Sequence, residues 1–193
     1  MALIDLLWAL IGLILTISGT FVEAFVATPD LGKGLQTVQT YPLGVTYQIG
    51  AVLFVGCMGG QTAAVLSQVA YLVLGLVGFQ IFSQGGGIGY LREPSFGYLL
   101  GFIPAAWICG RLAFKVLPRL EALAFSCLCG LLGIHLSGIL YLILAYNGGW
   151  LKTMNLSLQA AILRYSLYPL PGQIAIVCAV TVIAFLLRHL MLY

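Results

Sequence analysis

Residues 84–111 read QGGGIGYLREPSFGYLLGFIPAAWICGR, and this stretch decides the fold. Gly85, Gly86 and Gly87 follow an apolar run. Arg92 and Glu93 form a charged pair, Pro94 and Ser95 mark a turn, and an apolar helix opens at about Phe96. Irregular backbone has no hydrogen-bond partner in lipid, so in an apolar chain it must line a cavity or pack against protein. The stretch therefore predicts a glycine hinge feeding a polar turn at the mouth of a helix bundle, the first place to seek a ligand.

The chain around it is strongly apolar. Of 193 residues, 62% are hydrophobic and 7% charged, and the mean hydropathy is +1.10. Soluble domains carry about 25% charged residues, so five acids and eight bases cannot cover a globule of this size. The composition implies an all-α integral membrane protein, one membrane domain over residues 1–193. A scattered net charge of +3 gives no footing for nucleic acid. Cys57, Cys109, Cys127, Cys129 and Cys178 all sit in apolar runs without a CxxC pair. All five are expected to be small buried hydrophobes and not metal ligands.

A membrane-crossing helix needs about 20 apolar residues. Six candidates follow, at about 6–25, 45–58, 63–82, 96–116, 122–146 and 173–190. The first lacks a basic leader (Asp5 precedes it) and is expected to be a retained helix, not a cleaved signal. It carries Gly12, Thr16, Thr20 and Ala24 four apart on one face, and small faces let helices approach closely in lipid. Glu23, near its end, reads either as a functional intramembrane acid or as an interfacial residue. Residues 27–44 form a polar loop punctuated by glycine and proline. Residues 151–167, with Lys152, Gln159 and Arg164 among apolar neighbours, form an interfacial helix. Six crossings place both ends on one side. The basic residues divide evenly, Arg111, Lys115, Arg119 and Arg188 against Lys33, Arg92, Lys152 and Arg164, so charge alone does not orient the chain.

Six crossings also gather the 27–44, 83–95 and 147–171 connections on one face. It collects Gln36, Gln39, Gln84, Arg92, Glu93, Lys152, Arg164 and Gln173, with Tyr41, Tyr47, Tyr90, Phe96, Tyr98 and Trp150 as aromatic walls. Amides, a few cations and rings suit a small, partly apolar anion with an amide-like head. Signatures of enzymes are missing: no GxSxG, no HExxH and no GxxxxGK[ST] occurs. Ser137 is two residues from His135 and points elsewhere, and His135 is expected to be a packed bundle histidine.

Three blocks carry a family resemblance: VTYQIGAVLFVG (45–56), AYLVLGLVGFQIFSQGGGIGYL (70–91) and EPSFGYLLGFIPAAWICGRL (93–112). They resemble BioY, the biotin-specific substrate-binding component of energy-coupling-factor (ECF) transporters. Thr46 and Gln48 match a T-x-Q start. Tyr71, Gly75, Gly78 and Phe82 match a YLxLGxxGxPxF run, with Gln80 in place of proline. Pro94, Gly97, Tyr98, Gly101, Phe102, Ala105 and Ala106 match GPTGGYLxGFxxAxxxG, with Glu93 in place of glycine. The family's PGDxxK becomes Pro171-Gly172-Gln173, ending at Ile176. The resemblance implies no catalytic residue, cofactor or metal. It implies biotin as ligand and a site including Gln48, Gln84, Gly86, Gly87, Tyr90, Arg92, Tyr98, Arg164 and Gln173. Gln173 replaces the acid that meets the ureido head and could accept a ureido N–H through its carbonyl. Ile176 replaces the lysine that meets the carboxylate, and Arg92 is favoured over Arg164 as its substitute. The resemblance further implies a multi-pass plasma-membrane protein with cytoplasmic termini. Its partners would be a membrane coupling protein, met through the Gly12–Thr16–Thr20 face, and two ATPase subunits. The alternatives are a component for another small vitamin or precursor, or a structural membrane protein.

Overall fold

The computed structural model describes residues 3–29, 38–149 and 157–191. Lys33, Gln36, Trp150, Lys152 and Asn155 lie outside them. The chain runs α1 (Leu3–Phe21), β1 (Glu23–Pro29), β2 (Val38–Thr46), α2 (Gln48–Val77), a 3-10 turn (Ile88–Arg92), α3 (Phe96–Leu100) and α4 (Phe102–Ala113). It continues through α5 (Leu120–Asn147), α6 (Leu158–Ile162), a π-type turn (Leu163–Leu167) and α7 (Leu170–Leu190).

Five helical stretches are long and apolar enough to cross a membrane: Leu3–Phe21, Gln48–Val77, Phe96–Ala113, Leu120–Asn147 and Leu158–Leu190. The protein is thus a multi-pass helical membrane protein. The expected spans 45–58 and 63–82 are joined in α2, but α2 is not a rod. Gly60 has φ 74° and ψ −178°, outside helical space. Gln48 Nε2 donates to Tyr71 Oη at 2.8 Å, whereas 23 residues of straight helix would hold those positions about 34 Å apart. The chain therefore doubles back at Gly60, giving α2 a first arm before it and a second arm after it. Gly110 of α4 lies against this reversal, where a Cβ would meet Gln61 N at 2.5 Å.

α1 packs against both arms. A Cβ on Gly12 would touch Ser67 and Val55, each at 2.9 Å. Thr16 Oγ1 accepts from Gln68 Nε2 at 3.1 Å, and Thr20 Oγ1 lies 3.2 Å from Tyr71 Oη. The Gly12–Thr16–Thr20 face expected to meet a coupling protein is therefore buried within the chain, because its small residues admit α2. Leu3, Leu6, Leu7 and Leu10 cover the outward side of α1. Thr16→Val removes an acceptor from buried Gln68 and is expected to cost about 1 kcal/mol, measured by thermal unfolding in detergent. An unchanged midpoint would mean the bond carries no net weight.

The described parts of the expected 27–44 loop, residues 27–29 and 38–44, are strand. β1 and β2 pair antiparallel from Glu23↔Thr46 to Pro29↔Val38, with an irregularity between Glu23 and Phe25. Val26, Thr28, Thr40 and Tyr41 are β-branched or aromatic and suit a ribbon. Both strands are edges, where Pro29 and Pro42 are tolerated. Glu23 is exposed in β1, beyond the end of α1 at Phe21. The described part of the expected interfacial segment is short: α6 and its π-type turn lead directly into α7.

The start of α1 and the end of α7 lie away from the β-ribbon. Gly19 abuts Tyr47–Gln48 and Gly59 abuts Trp8, so α1 rises from the Gly60 end toward Gln48. α7 starts near β2, with Gly172 against Leu43 O. It ends where Arg188 Nη1 donates to Ala113 O at 2.8 Å.

Candidate binding site

The glycine stretch is a turn that closes the end of α2. Gly87 N–H donates to Gly75 O at 2.7 Å, and Phe82 and Gly85 exchange backbone bonds of 3.0 and 3.1 Å. Gly87 takes φ 94°, a conformation glycine adopts without steric cost. The turn folds Phe82 over Gly75, where a Cβ would overlap the Phe82 ring. Phe82 meets Tyr71 edge-on at 5.3 Å between ring centroids and lies tilted against Tyr90 at 4.6 Å. An aromatic wall thus rises from the second arm of α2 to the 3-10 turn, and Tyr141 of α5 closes it by donating to Leu91 O.

This wall borders a cavity of about 290 Å³. It is lined by Gln48, Ile49 and Phe102, by the rings of Tyr90, Tyr98 and Tyr165, by Gly44, Ser83, Gln84 and Ser95, and by Gln173 of α7. Of the three connections expected to share a face, 27–44, 83–95 and 147–171, the described parts contribute Gly44, Ser83, Gln84, Tyr90, Ser95, Tyr165 and Pro169 to this lining. Larger hollows exist: about 690 Å³ along the leucines of α1 and about 660 Å³ at Val116–Ala122. The first is a nearly all-apolar groove and the second is framed by one connection. Ligand sites combine an apolar lining with a few convergent polar groups, so the 290 Å³ cavity is the candidate.

Its polar groups are held by named bonds. Gln48 gives its amide N–H to Tyr71 Oη, which donates onward to Ile81 O at 3.0 Å. The Gln48 carbonyl thus remains an acceptor. Tyr90 Oη sits between Ser83 Oγ (3.2 Å) and Ser95 Oγ (3.3 Å). Tyr98 Oη pairs with Ser166 Oγ at 2.6 Å, fixing the π-type turn against α3.

Gln173 is 6% exposed, and its Oε1 lies 2.7 Å from His135 Nε2. His135 Nδ1 is buried without a partner. Buried orphan N–H groups are rarer than unfilled acceptors, so the proton belongs on Nε2, which donates to Gln173 Oε1. The Gln173 amide nitrogen is then the group left for the cavity. The Gln173 carbonyl, expected to meet the ligand, is engaged by His135. His135, expected to be a packing residue, fixes that polarity. The signal that could have found it was a polar residue in an apolar helix facing the altered acid position.

The other expected site residues are not among those that line the cavity. Gly86 and Gly87 build the turn, and Gly86 packs against Gly75 O and Phe79. Arg92 is exposed at the end of the 3-10 turn. Arg164 is exposed with its guanidinium 5.8 Å from the ring of Tyr165, a lining residue. Ile176 is buried, its methyl against Gly50. The three cysteines Cys57, Cys109 and Cys127 are buried as expected, but Cys129 is half-buried and Cys178 exposed on α7.

An apolar helix bundle holding one small cavity of amides and phenols is the architecture of a membrane protein that binds a small solute. Residues 4–192 match the sequence pattern of the BioY family, and the chain belongs to that family. It is 34% identical over 133 residues to the probable biotin transporter BioY of Lysinibacillus sphaericus, covering 68% of this chain and 67% of that one. It is 28% identical over 187 residues to an uncharacterised 21.2 kDa protein of Cyanophora paradoxa, covering 96% and 95%. The crystal structure of the S-component for biotin from an ECF-type ABC transporter superposes with a TM-score of 0.69 at 17% identity, covering 96% of this chain and 90% of that one. That likeness concerns the fold.

Proposed function

We propose that this chain is a biotin-uptake component that captures biotin in the 290 Å³ cavity. It is a transport protein and not an enzyme. One observation carries the reading: the sequence blocks resembling the BioY family, distant along the chain, place Gln48, Tyr90, Tyr98 and Gln173 around one cavity. A ureido head has N–H donors and a carbonyl acceptor. Gln48 Oε1 accepts from the former and Gln173 Nε2 donates to the latter, while Tyr90, Tyr98 and Phe102 enclose the apolar rings.

The arms of α2 count as two crossings, giving six in all. This agrees with both termini lying at the end away from the cavity. The cavity opens outside the plasma membrane and the termini face the cytoplasm. An ECF coupling protein and two ATPases supply the energy, since the chain carries no phosphate loop. Docking uses the open leucine side of α1, where the apolar groove toward Leu66 and Ala70 lies.

The carboxylate meets a cation at the rim. The sequence favours Arg92, but the geometry favours Arg164, which lies over Tyr165. Arg164→Ala is expected to weaken biotin binding several-fold more than biotin amide binding, while Arg92→Ala affects the two alike. Equal losses on Arg164→Ala, in titrations on purified protein, would remove Arg164 from the role. A second reading rests on Ile176: with the family's lysine position sealed against Gly50, the cavity suits a neutral relative of biotin. Uptake decides the function. A bacterial host lacking both biotin synthesis and its own importer should grow on low biotin when it expresses this chain with an ECF module. Failure to grow, with the chain present in the membrane, counts against the proposal.

A further inference from the structure

Cys57, Cys109 and Cys127 come from the first arm of α2, from α4 and from α5. Cys57 Sγ lies 3.4 Å from Cys127 Sγ and 3.7 Å from Cys109 Sγ. All three sulfurs fall within 4.8 Å of one another. Each residue is fully buried, and each is a free thiol. Three sulfurs bound about 2.3 Å from one ion stand about 3.8–4.0 Å apart. The two pairs that include Cys57 reach that spacing by opening a few tenths of an ångström.

Backbone packing sets these positions. A Cβ on Gly56 would meet Cys109 Sγ at 3.1 Å, and one on Gly130 would meet Cys109 Cβ at 3.2 Å. The three helices thus approach through glycine and present their thiols to one point. Arg188 brings a buried guanidinium from α7, its Nη1 donating to Ala113 O about one helical turn beyond Cys109. A positive charge nearby offsets part of the cost of burying thiolates.

We propose that Cys57, Cys109 and Cys127 form a three-thiol site for a soft, thiophilic metal ion of the Cu(I) or Cd(II) kind. Thiolates select such ions over hard cations. Binding forms sulfur–metal bonds and releases thiol protons to water, with no change of oxidation state. Cys57 lies nine residues from Gln48, about 13 Å along the helix, so the site is separate from the cavity. An ion there clamps α2, α4 and α5 together beneath it.

The test is titration of the reduced, detergent-purified chain with Cd(II), followed by thiolate-to-metal charge-transfer absorption. The expected result is one equivalent per chain. The band is lost in Cys57→Ala and Cys127→Ala and retained in Cys129→Ala and Cys178→Ala. Helical circular dichroism melts establish that each variant is folded. Because Cys109 packs against Gly56 and Gly130, the native chain gives a second measurement: alkylation of exposed Cys178 should leave the one equivalent intact. No charge-transfer band, or a band lost on that alkylation, overturns the proposal.

Discussion

Gln173→Leu is expected to weaken biotin binding by about 10- to 100-fold, the cost of removing one hydrogen-bonding partner and stranding another. The substitution removes the cavity's amide donor. It also leaves His135 Nε2–H, now paired at 2.7 Å, buried without an acceptor. Stranding a buried polar group costs about 1–3 kcal/mol, part of it in stability and part in the preorganised site. His135→Phe separates the two contributions. It keeps a ring in the space but frees Gln173 to turn, so its affinity loss should be smaller than that of Gln173→Leu. Isothermal titration of each variant makes the comparison. An unchanged affinity in Gln173→Leu would remove this residue from the site, and a larger loss in His135→Phe would mean that the histidine itself touches the ligand.

The second large effect is structural. Gly86→Val should destabilise the fold by about 3 kcal/mol or more, an overpacking cost at the upper end of its usual range. A Cβ at position 86 would overlap Phe79 O and lie 3.0 Å from Gly75 O. Both contacts are backbone and cannot rotate away. The turn would have to open, freeing Gly87 from Gly75 and Phe82 from beneath the aromatic wall, so the cavity should lose its Tyr90 side with the turn. Gly89→Ala, three residues on, is the control: nothing lies within 4 Å of its added Cβ. Thermal unfolding in detergent should show a large drop for the first and little change for the second. Equal behaviour would mean that the glycine run is an unconstrained loop.

The central stretch was legible because its three cues agree. Glycines after an apolar run, a Pro–Ser turn and a following apolar helix have few joint solutions in a membrane chain. The breaks between helices were legible for the same reason, with Gly59–Gly60 marking the reversal within α2. What hydropathy could not give is which side of an apolar helix faces inward. Gly12, Thr16 and Thr20 looked like a face for a partner because small residues favour any close helix contact. Only the return of α2 shows that the partner is the chain itself. The ribbon at 23–46 was hidden because Pro29, Gly44 and Pro42 read as loop residues, although a two-stranded ribbon tolerates them. Long-range pairs were the least legible. His135 and Gln173 are 38 residues apart, and Cys57, Cys109 and Cys127 span 70. Nothing local in their flanking sequence joins them.

Equilibrium binding of biotin to the detergent-purified chain tests the central claim most directly, with desthiobiotin, biotin amide and thiamine as competitors. Saturable, tight binding at one site per chain is expected, displaced by desthiobiotin and biotin amide but not by thiamine, and weakened in Gln173→Leu. Absence of saturable binding in folded protein, or equal displacement by thiamine, would contradict it.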